Sequence, residues 1–260
     1  MSETVIAPPP EALPQRERRS TVRSIVAIWA VMTAALEVFA IFVPAHLMGV
    51  AASKTMVDIE NSVTVFSVLA APVMAVVWSI ALYSVLRWRH RGDGPPVQDG
   101  PPIRGNVAVT TIWIIVSSVL CLFLFIWGAV ELQSTSASAA APNGLVVDVT
   151  GQQWLWTYSY PGDHGYTSNV LYLPVNRPVT FEVTSEDVVH SFWIVQMGAK
   201  IDANPGEITT VSVTPDRLGT FTVRCAELCG IYHSYMDSKV QVVSDADFKS
   251  WLSAHSGSQG

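Results

Sequence analysis

Residues 145–160 read LVVDVTGQQWLWTYSY. Two runs rich in valine, threonine and aromatic residues are separated here by a polar turn, which is typical of two neighbouring β-strands. The predicted strands are Leu145–Thr150, Trp154–Tyr160, Val170–Val175, Val179–Thr184, Ser191–Val195, Ile208–Thr214, Thr220–Arg224 and Lys239–Val243. Eight strands in about a hundred residues predict a β-sandwich with its own core. A helix is predicted after them over Asp245–Ala254.

The first half of the chain has a different pattern, with apolar stretches at about 24–49, 62–87 and 108–131. Each has at least the roughly 20 residues that a helix needs to cross a bilayer. The first could instead be a signal peptide cleaved near Ala51-Ala52, but its apolar region exceeds the usual length of about 7–15 residues. We therefore predict three transmembrane helices.

The connecting segments are polar and rich in turn-forming residues. Residues 1–23 predict a disordered tail, and residues 132–144 a flexible linker to an exported domain over 145–260. Two groups of arginines flank the apolar stretches: Arg16, Arg18, Arg19 and Arg23, then Arg87, Arg89, Arg91 and Arg104. Because such groups stay on the cytoplasmic side, the N-terminus is expected inside and the C-terminal half outside.

The net charge of −6 falls on the C-terminal half, where residues 145–260 carry twelve acidic and six basic side chains. This surplus argues against binding to nucleic acid and predicts a cationic partner. It could also serve only to keep the exported domain soluble.

Residues 225–236 read CAELCGIYHSYM and bring four soft or borderline metal donors into one loop. They are Cys225, Cys229, His233 and Met236. Thiolate, thioether and imidazole together favour copper. A disulfide or a structural zinc site is the alternative, although neither accounts for the methionine. His190, at the start of a predicted strand, is the candidate for a second imidazole, or else an ordinary core histidine.

The strings SEDVVHSF at 185–192, KIDANPG at 200–206 and CAELCGIYHSYM at 225–236 together resemble subunit II of the cytochrome c oxidases. The resemblance spans about residues 62–250. It implies that the last two helices form a membrane hairpin and that the exported domain is a cupredoxin-like Greek-key sandwich. It also implies oxidase subunit I and cytochrome c as partners, and a bacterial-type plasma membrane with the C-terminal domain on its outer face.

The same resemblance implies a binuclear copper centre, CuA. Cys225 and Cys229 bridge two copper ions, with His190 and Met236 on one ion. His233 and the backbone carbonyl of Glu227 complete the other. The side chain of Glu227 is implied as a magnesium ligand at the interface with subunit I.

Trp154 matches the family position at which electrons enter from cytochrome c, although aromatic residues in such a strand can simply be core. Strand alternation predicts Trp154 and Trp156 on one face. Three acids match positions near the family's donor-docking surface, namely Glu186, Asp187 and Asp202.

The resemblance has departures. Thr110 stands where the family has a glutamate associated with proton uptake. This leaves open a CuA subunit of a nitric oxide reductase or of another atypical haem-copper enzyme. A separate alternative is a membrane-tethered cupredoxin that handles copper. The sequence has no Cys-x-x-Cys-His motif, so the electron donor is expected to be a separate protein.

Overall fold

A computed structural model describes residues 15–89, 105–138, 144–163 and 166–255 of the chain. It confirms the predicted fold class of apolar helices followed by a β-sandwich. Within these ranges the α-helices are α1 (Gln15–Met48), α2 (Lys54–Tyr83), α3 (Val107–Ser138) and α4 (Asp245–His255). The described residues form two compact units, one within Met1–Pro44 and Val63–Phe125 and the other within Ala45–Ser62 and Ile126–Gly260.

Helices α1, α2 and α3 each have the length and hydropathy of a membrane span. Two predicted boundaries are wrong: residues 15–23 of the expected tail and 132–138 of the expected linker are helical. The apolar pattern marks the part of a helix that lies in hydrocarbon, whereas arginine, glutamate and glutamine can extend the helix beyond it. Residues 1–14 of the tail and 139–143 of the linker lie outside the described residues.

In the first unit, α2 buries small residues at a spacing of four: Ala71, Ala75 and Ser79. Such spacing lets two helices approach closely in a membrane. The indole nitrogen of Trp29 in α1 donates a hydrogen bond of 3.0 Å to the carbonyl of Pro72 in α2. Helix α1 is therefore bonded directly to α2.

In the part of the chain that the structure describes, the sandwich has ten strands in two five-stranded sheets, with the orders β3-β2-β1-β5-β8 and β4-β10-β9-β6-β7. The strands are β1 (Leu145–Gln152), β2 (Leu155–Tyr160), β3 (Tyr166–Ser168), β4 (Leu171–Pro174), β5 (Val179–Ser185), β6 (His190–Ile194), β7 (Ala199–Ala203), β8 (Thr209–Val213), β9 (Gly219–Cys225) and β10 (Asp237–Val243). β1 pairs with β5 in parallel, and so does β4 with β10. Alternate residues of the strands in both sheets face a shared apolar core.

Two strands, β3 and β7, were not predicted from the sequence. β3 has only three residues, and β7 reads AKIDA, which lacks the usual strand composition. β7 is nevertheless fixed by its antiparallel pairing with β6 along its whole length.

The segment between α1 and α2 belongs to the second unit and bonds to the sandwich. The backbone N–H of Ala52 donates to the carbonyl of Gln196 at 2.8 Å, and that of Asp216 donates to the carbonyl of Ala52 at 3.1 Å. The hydroxyl of Ser53 donates to the carbonyl of Met197 at 2.7 Å. Ala52 and Ser53 are both buried, so this segment is part of the folded outer unit.

Candidate metal centre

The sulfur-containing loop connects two adjacent antiparallel strands, β9 and β10. β9 ends at Cys225 and β10 begins at Asp237, directly after Met236. The backbone N–H of Cys225 donates to the carbonyl of Met236 at 3.1 Å. The two ends of the loop are thus held together by the sheet, and the residues between them are confined to one compact turn.

Cys229 lies at the centre of this loop. Its Sγ atom is 3.7 Å from Sγ of Cys225, 3.7 Å from Sδ of Met236 and 3.5 Å from Nδ1 of His233. The Sγ atom of Cys225 is also 3.2 Å from the backbone carbonyl oxygen of Glu227. The five predicted donors of the loop therefore converge.

His190 approaches from β6, the strand next to β9. Phe192 of β6 pairs with Cys225 in the register of these two strands. The His190 side chain is fully buried, and its Nδ1 atom lies 3.8 Å from Sγ of Cys225. The ligand atoms of His190, Cys225 and Cys229 all lie within 4.8 Å of one another.

Asp187 fixes the orientation of the His190 ring. Its Oδ1 atom is 2.8 Å from Nε2 of His190, so that Nδ1 is turned towards the sulfur atoms. The carboxylate also accepts the backbone N–H of Gln153 at 2.7 Å and that of Val188 at 2.6 Å. Partial burial alone would raise the pKa of Asp187, but these hydrogen bonds outweigh it and lower the pKa.

The site is largely shielded from water. Met236 is fully buried, and Cys229 and Cys225 are 3% and 8% exposed. Burial, with a further contribution from Cys225, raises the pKa of the Cys229 thiol to about 12. Metal binding therefore has to displace the thiol proton. Both cysteines are free, and their sulfur separation exceeds the roughly 2.05 Å of a disulfide.

Trp154 packs against the same loop. It lies in the turn before β2 and is partly buried, and its indole nitrogen donates to the carbonyl of Cys229 at 3.3 Å. Gln153 donates to the same carbonyl at 2.7 Å. Trp156 lies in the core and is 2% exposed, so the two tryptophans have different surroundings.

Two of the three predicted docking acids lie beside this turn. Glu186 is exposed, and its backbone N–H donates to the carbonyl of Gly151 at 3.1 Å. Asp187 is engaged with His190, so it has a bonding role that the prediction did not include. Asp202 is exposed on β7, opposite Ser191.

Two glycines that the sequence analysis did not single out permit these close contacts. A Cβ atom at Gly151 would lie 3.2 Å from Cδ2 of His190 and 3.0 Å from Cζ3 of Trp156. Gly230 has a φ of +124°, and a Cβ atom there would lie 3.2 Å from Cζ2 of Trp154. A glycine within a strand, as at position 151, often marks a close approach of this kind.

The donor set is soft, buried and convergent, which fits a soft or borderline metal ion. The fold and site thus define a cupredoxin-like domain that follows three candidate membrane spans and carries a sulfur-rich group able to hold a metal ion. Residues 166–243 match the family model for cytochrome c oxidase subunit II, periplasmic domain. A cytochrome c oxidase subunit 2 from Cereibacter sphaeroides is 30% identical over 224 residues, covering 71% of this chain and 72% of the relative. The chain belongs to the cytochrome c oxidase subunit 2 family.

A further relative and a solved structure are similar to parts of the chain. The chain is 28% identical over 254 residues to a cytochrome c oxidase subunit 2 from Synechocystis, covering 80% of this chain and 76% of the relative. The crystal structure of the periplasmic domain of subunit II of cytochrome oxidase from Bradyrhizobium japonicum is 31% identical. It matches with a TM-score of 0.43 and covers 45% of this chain and 96% of that one.

Proposed function

We propose that this chain is the electron-accepting subunit of a respiratory haem-copper terminal oxidase. It takes electrons from cytochrome c and passes them to haem in subunit I, where oxygen is reduced to water with proton translocation. The observation that carries the proposal is the pair of thiols 3.7 Å apart, with an imidazole Nδ1 atom beside each sulfur.

This arrangement supports a binuclear copper centre. Cys225 and Cys229 would bridge the two ions, His190 and Met236 would bind one, and His233 with the Glu227 carbonyl would bind the other. Bound there, the copper pair would supply a centre that gains and loses one electron. Two bridging thiolates distinguish this set from a mononuclear site, which needs only one.

The protein holds these donors in fixed positions. Cys225 and Met236 are fixed by the sheet, and His190 is oriented by Asp187. Burial excludes water from the sulfur atoms. Ligands held this way change position little when the charge of the centre changes, which lowers the reorganisation energy of electron transfer.

Electrons would enter through Trp154. Its ring touches the loop at the Cys229 carbonyl, so it offers a direct route from the surface to a bridging sulfur residue. Glu186, Asp187 and Asp202 would contribute to the negative field that attracts a cationic donor.

Two different groups of Glu227 would bind metal, the backbone carbonyl oxygen a copper ion and the side-chain carboxylate a magnesium ion. Its carbonyl oxygen faces Cys225, whereas the residue as a whole is exposed. An exposed carboxylate next to the copper loop is suitably placed to bind magnesium at an interface with subunit I.

We also propose that α1 is retained. The candidate cleavage site at Ala51-Ala52 leads into residues that are buried and bonded to Gln196, Met197 and Asp216. Cleavage there would remove or leave at a free chain end residues that the folded outer unit uses for these bonds. With three spans and an inside N-terminus, the sandwich then lies on the outer face of the plasma membrane.

The proposal is tested on the purified complex. Reduced cytochrome c should be oxidised with stoichiometric oxygen consumption. Cys229→Ser should abolish this activity, and it should also abolish the paramagnetic-resonance spectrum of one unpaired electron shared between two copper ions. Because Thr110 replaces the family's glutamate, nitric oxide consumption is measured in parallel. A complex that consumes nitric oxide but does not consume oxygen would contradict the proposed reaction. A complex that does not accept electrons from cytochrome c would contradict the proposed donor.

A further inference from the structure

Tyr232 covers the Trp154 ring at the surface of the metal loop. The two rings meet edge to face, with centroids 4.7 Å apart and an interplanar angle of 86°. Tyr232 is 52% exposed, whereas Trp154 is only partly exposed. A protein that approaches Trp154 from the Tyr232 side therefore meets Tyr232 before it meets the tryptophan.

Three groups form a continuous path from this surface to the centre. The Tyr232 ring contacts the Trp154 ring, the Trp154 indole bonds to the Cys229 carbonyl, and the Cys229 sulfur belongs to the donor cluster. Gly230 favours this contact because a Cβ atom there would press on Trp154 at 3.2 Å from its Cζ2 atom. The path thus depends on the backbone of the metal loop itself.

We propose that Tyr232 is the residue at which the electron donor makes contact, and that it couples the donor to Trp154. This inference rests on the proposed function and refines it. One electron leaves the ferrous haem of the donor, which becomes ferric, and reduces the copper pair by one electron. No bond forms or breaks and no proton moves at Tyr232, because the ring acts only as a contact across which the electron passes.

The surroundings of Tyr232 favour a cationic donor with an apolar contact patch. Ile231, its neighbour in the loop, is 81% exposed. The acidic residues Glu186 and Asp187 adjoin the Gly151–Trp154 turn, from which the Trp154 ring reaches Tyr232. An aromatic and aliphatic centre beside acidic residues is typical of a contact that forms quickly and dissociates readily.

The same loop offers a matched control. Tyr235 is 79% exposed, and its ring lies 6.4 Å from the ring of Tyr232. Among the ring contacts of the described residues, Tyr235 has none with Trp154. Tyr235→Leu therefore removes an exposed tyrosine from this loop without breaking the proposed path.

The test compares Tyr232→Leu, Tyr232→Phe and Tyr235→Leu in the intact complex. Two quantities are measured: kcat/KM for reduced cytochrome c, and the Kd for cytochrome c carrying zinc in its porphyrin, which binds without transferring electrons in the dark. Tyr232→Leu should lower kcat/KM about tenfold and weaken zinc-cytochrome binding severalfold, as expected for loss of a central aromatic contact. Tyr232→Phe should recover most of both values, and Tyr235→Leu should change neither by more than about twofold.

The copper spectrum distinguishes contact from structural damage, since all three variants should retain it. If Tyr232→Leu keeps the wild-type kcat/KM and Kd while Trp154→Leu slows electron uptake, the donor contacts Trp154 by another route and the inference is wrong. Equal losses in Tyr232→Leu and Tyr235→Leu would also overturn it. A wild-type complex that does not oxidise cytochrome c would instead refute the proposed function.

Discussion

Replacing Asp187 with alanine tests how the site keeps His190 in position. The substitution removes the carboxylate that lies 2.8 Å from Nε2 of a fully buried imidazole. It also removes the acceptor for two backbone N–H groups, those of Gln153 and Val188. The first loss leaves a buried polar atom without its partner, whereas water can reach the two backbone groups.

The expected cost follows from these three bonds. An unpaired buried N–H costs about 1–3 kcal/mol, and each solvent-accessible bond contributes well under 1 kcal/mol once water replaces it. Asp187→Ala should therefore lower the free energy of unfolding of the outer unit by about 2–3 kcal/mol. Asp187→Asn retains one acceptor oxygen and should cost about 1 kcal/mol. Copper affinity should also fall by about 10- to 100-fold, as is usual when the partner of a ligand histidine is lost.

Thermal unfolding of the full-length chain, followed by near-ultraviolet circular dichroism of the aromatic residues, measures the stability change. For a unit of about 150 residues, 1 kcal/mol corresponds to about 2–4 °C in Tm. Glu186→Gln is the control, because it removes the same charge from the adjacent exposed residue and should stay within about 0.5 kcal/mol of wild type. If Asp187→Ala matched this control in both Tm and copper affinity, the orienting role of Asp187 would be refuted.

Three further substitutions test other parts of the account. Gly230→Ala should slow electron uptake and lower Tm, because φ is +124° and the new Cβ atom would press on Trp154; stopped-flow kinetics and a thermal scan measure this. Met236→Leu should cost less than about 1.5 kcal/mol of stability because its volume is conserved, yet change the copper absorption spectrum because a soft donor is lost. Gly198→Val should lower the Tm of the outer unit by several degrees, because φ is +64° and a Cβ atom would lie 2.6 Å from Cδ1 of Ile59.

Gly162→Ala is a control for both glycine substitutions, since a Cβ atom there would meet open space. It should leave Tm and electron uptake unchanged. A wild-type Tm for Gly198→Val would show that the first turns of α2, which carry Ile59, can move away from Gly198 at little cost. A wild-type electron uptake rate for Gly230→Ala would show that the Trp154 contact tolerates displacement.

The donor residues were predictable because their chemistry is concentrated in one short loop. Cys225, Cys229, His233 and Met236 occur within twelve residues, and His190 stood out as a second imidazole at the start of a predicted strand. The resemblance to a known family then assigned their roles and added the Glu227 carbonyl. The spacing of these residues in the sequence does not show that the loop connects two adjacent strands. That information comes from the β9–β10 pairing, which depends on contacts distant in sequence.

The orienting contacts around the site were beyond sequence reasoning. Asp187 was predicted as a docking acid from its position in the motif, whereas its hydrogen bond to His190 depends on the turn between β5 and β6. The contact between Tyr232 and Trp154 joins residues far apart in the chain and follows from the folded loop alone. β7 was missed because pairing with β6, rather than its own composition, makes it a strand.

The most direct test of the central claim is the copper content and paramagnetic-resonance spectrum of the purified wild-type complex, with the copper of this chain assigned by comparison with Cys229→Ser. We predict two copper ions per chain and a spectrum in which one unpaired electron is shared equally between two copper nuclei. A single copper ion per chain, a spectrum showing coupling to one nucleus only, or a bond between the Cys225 and Cys229 sulfur atoms in the active protein would contradict the account.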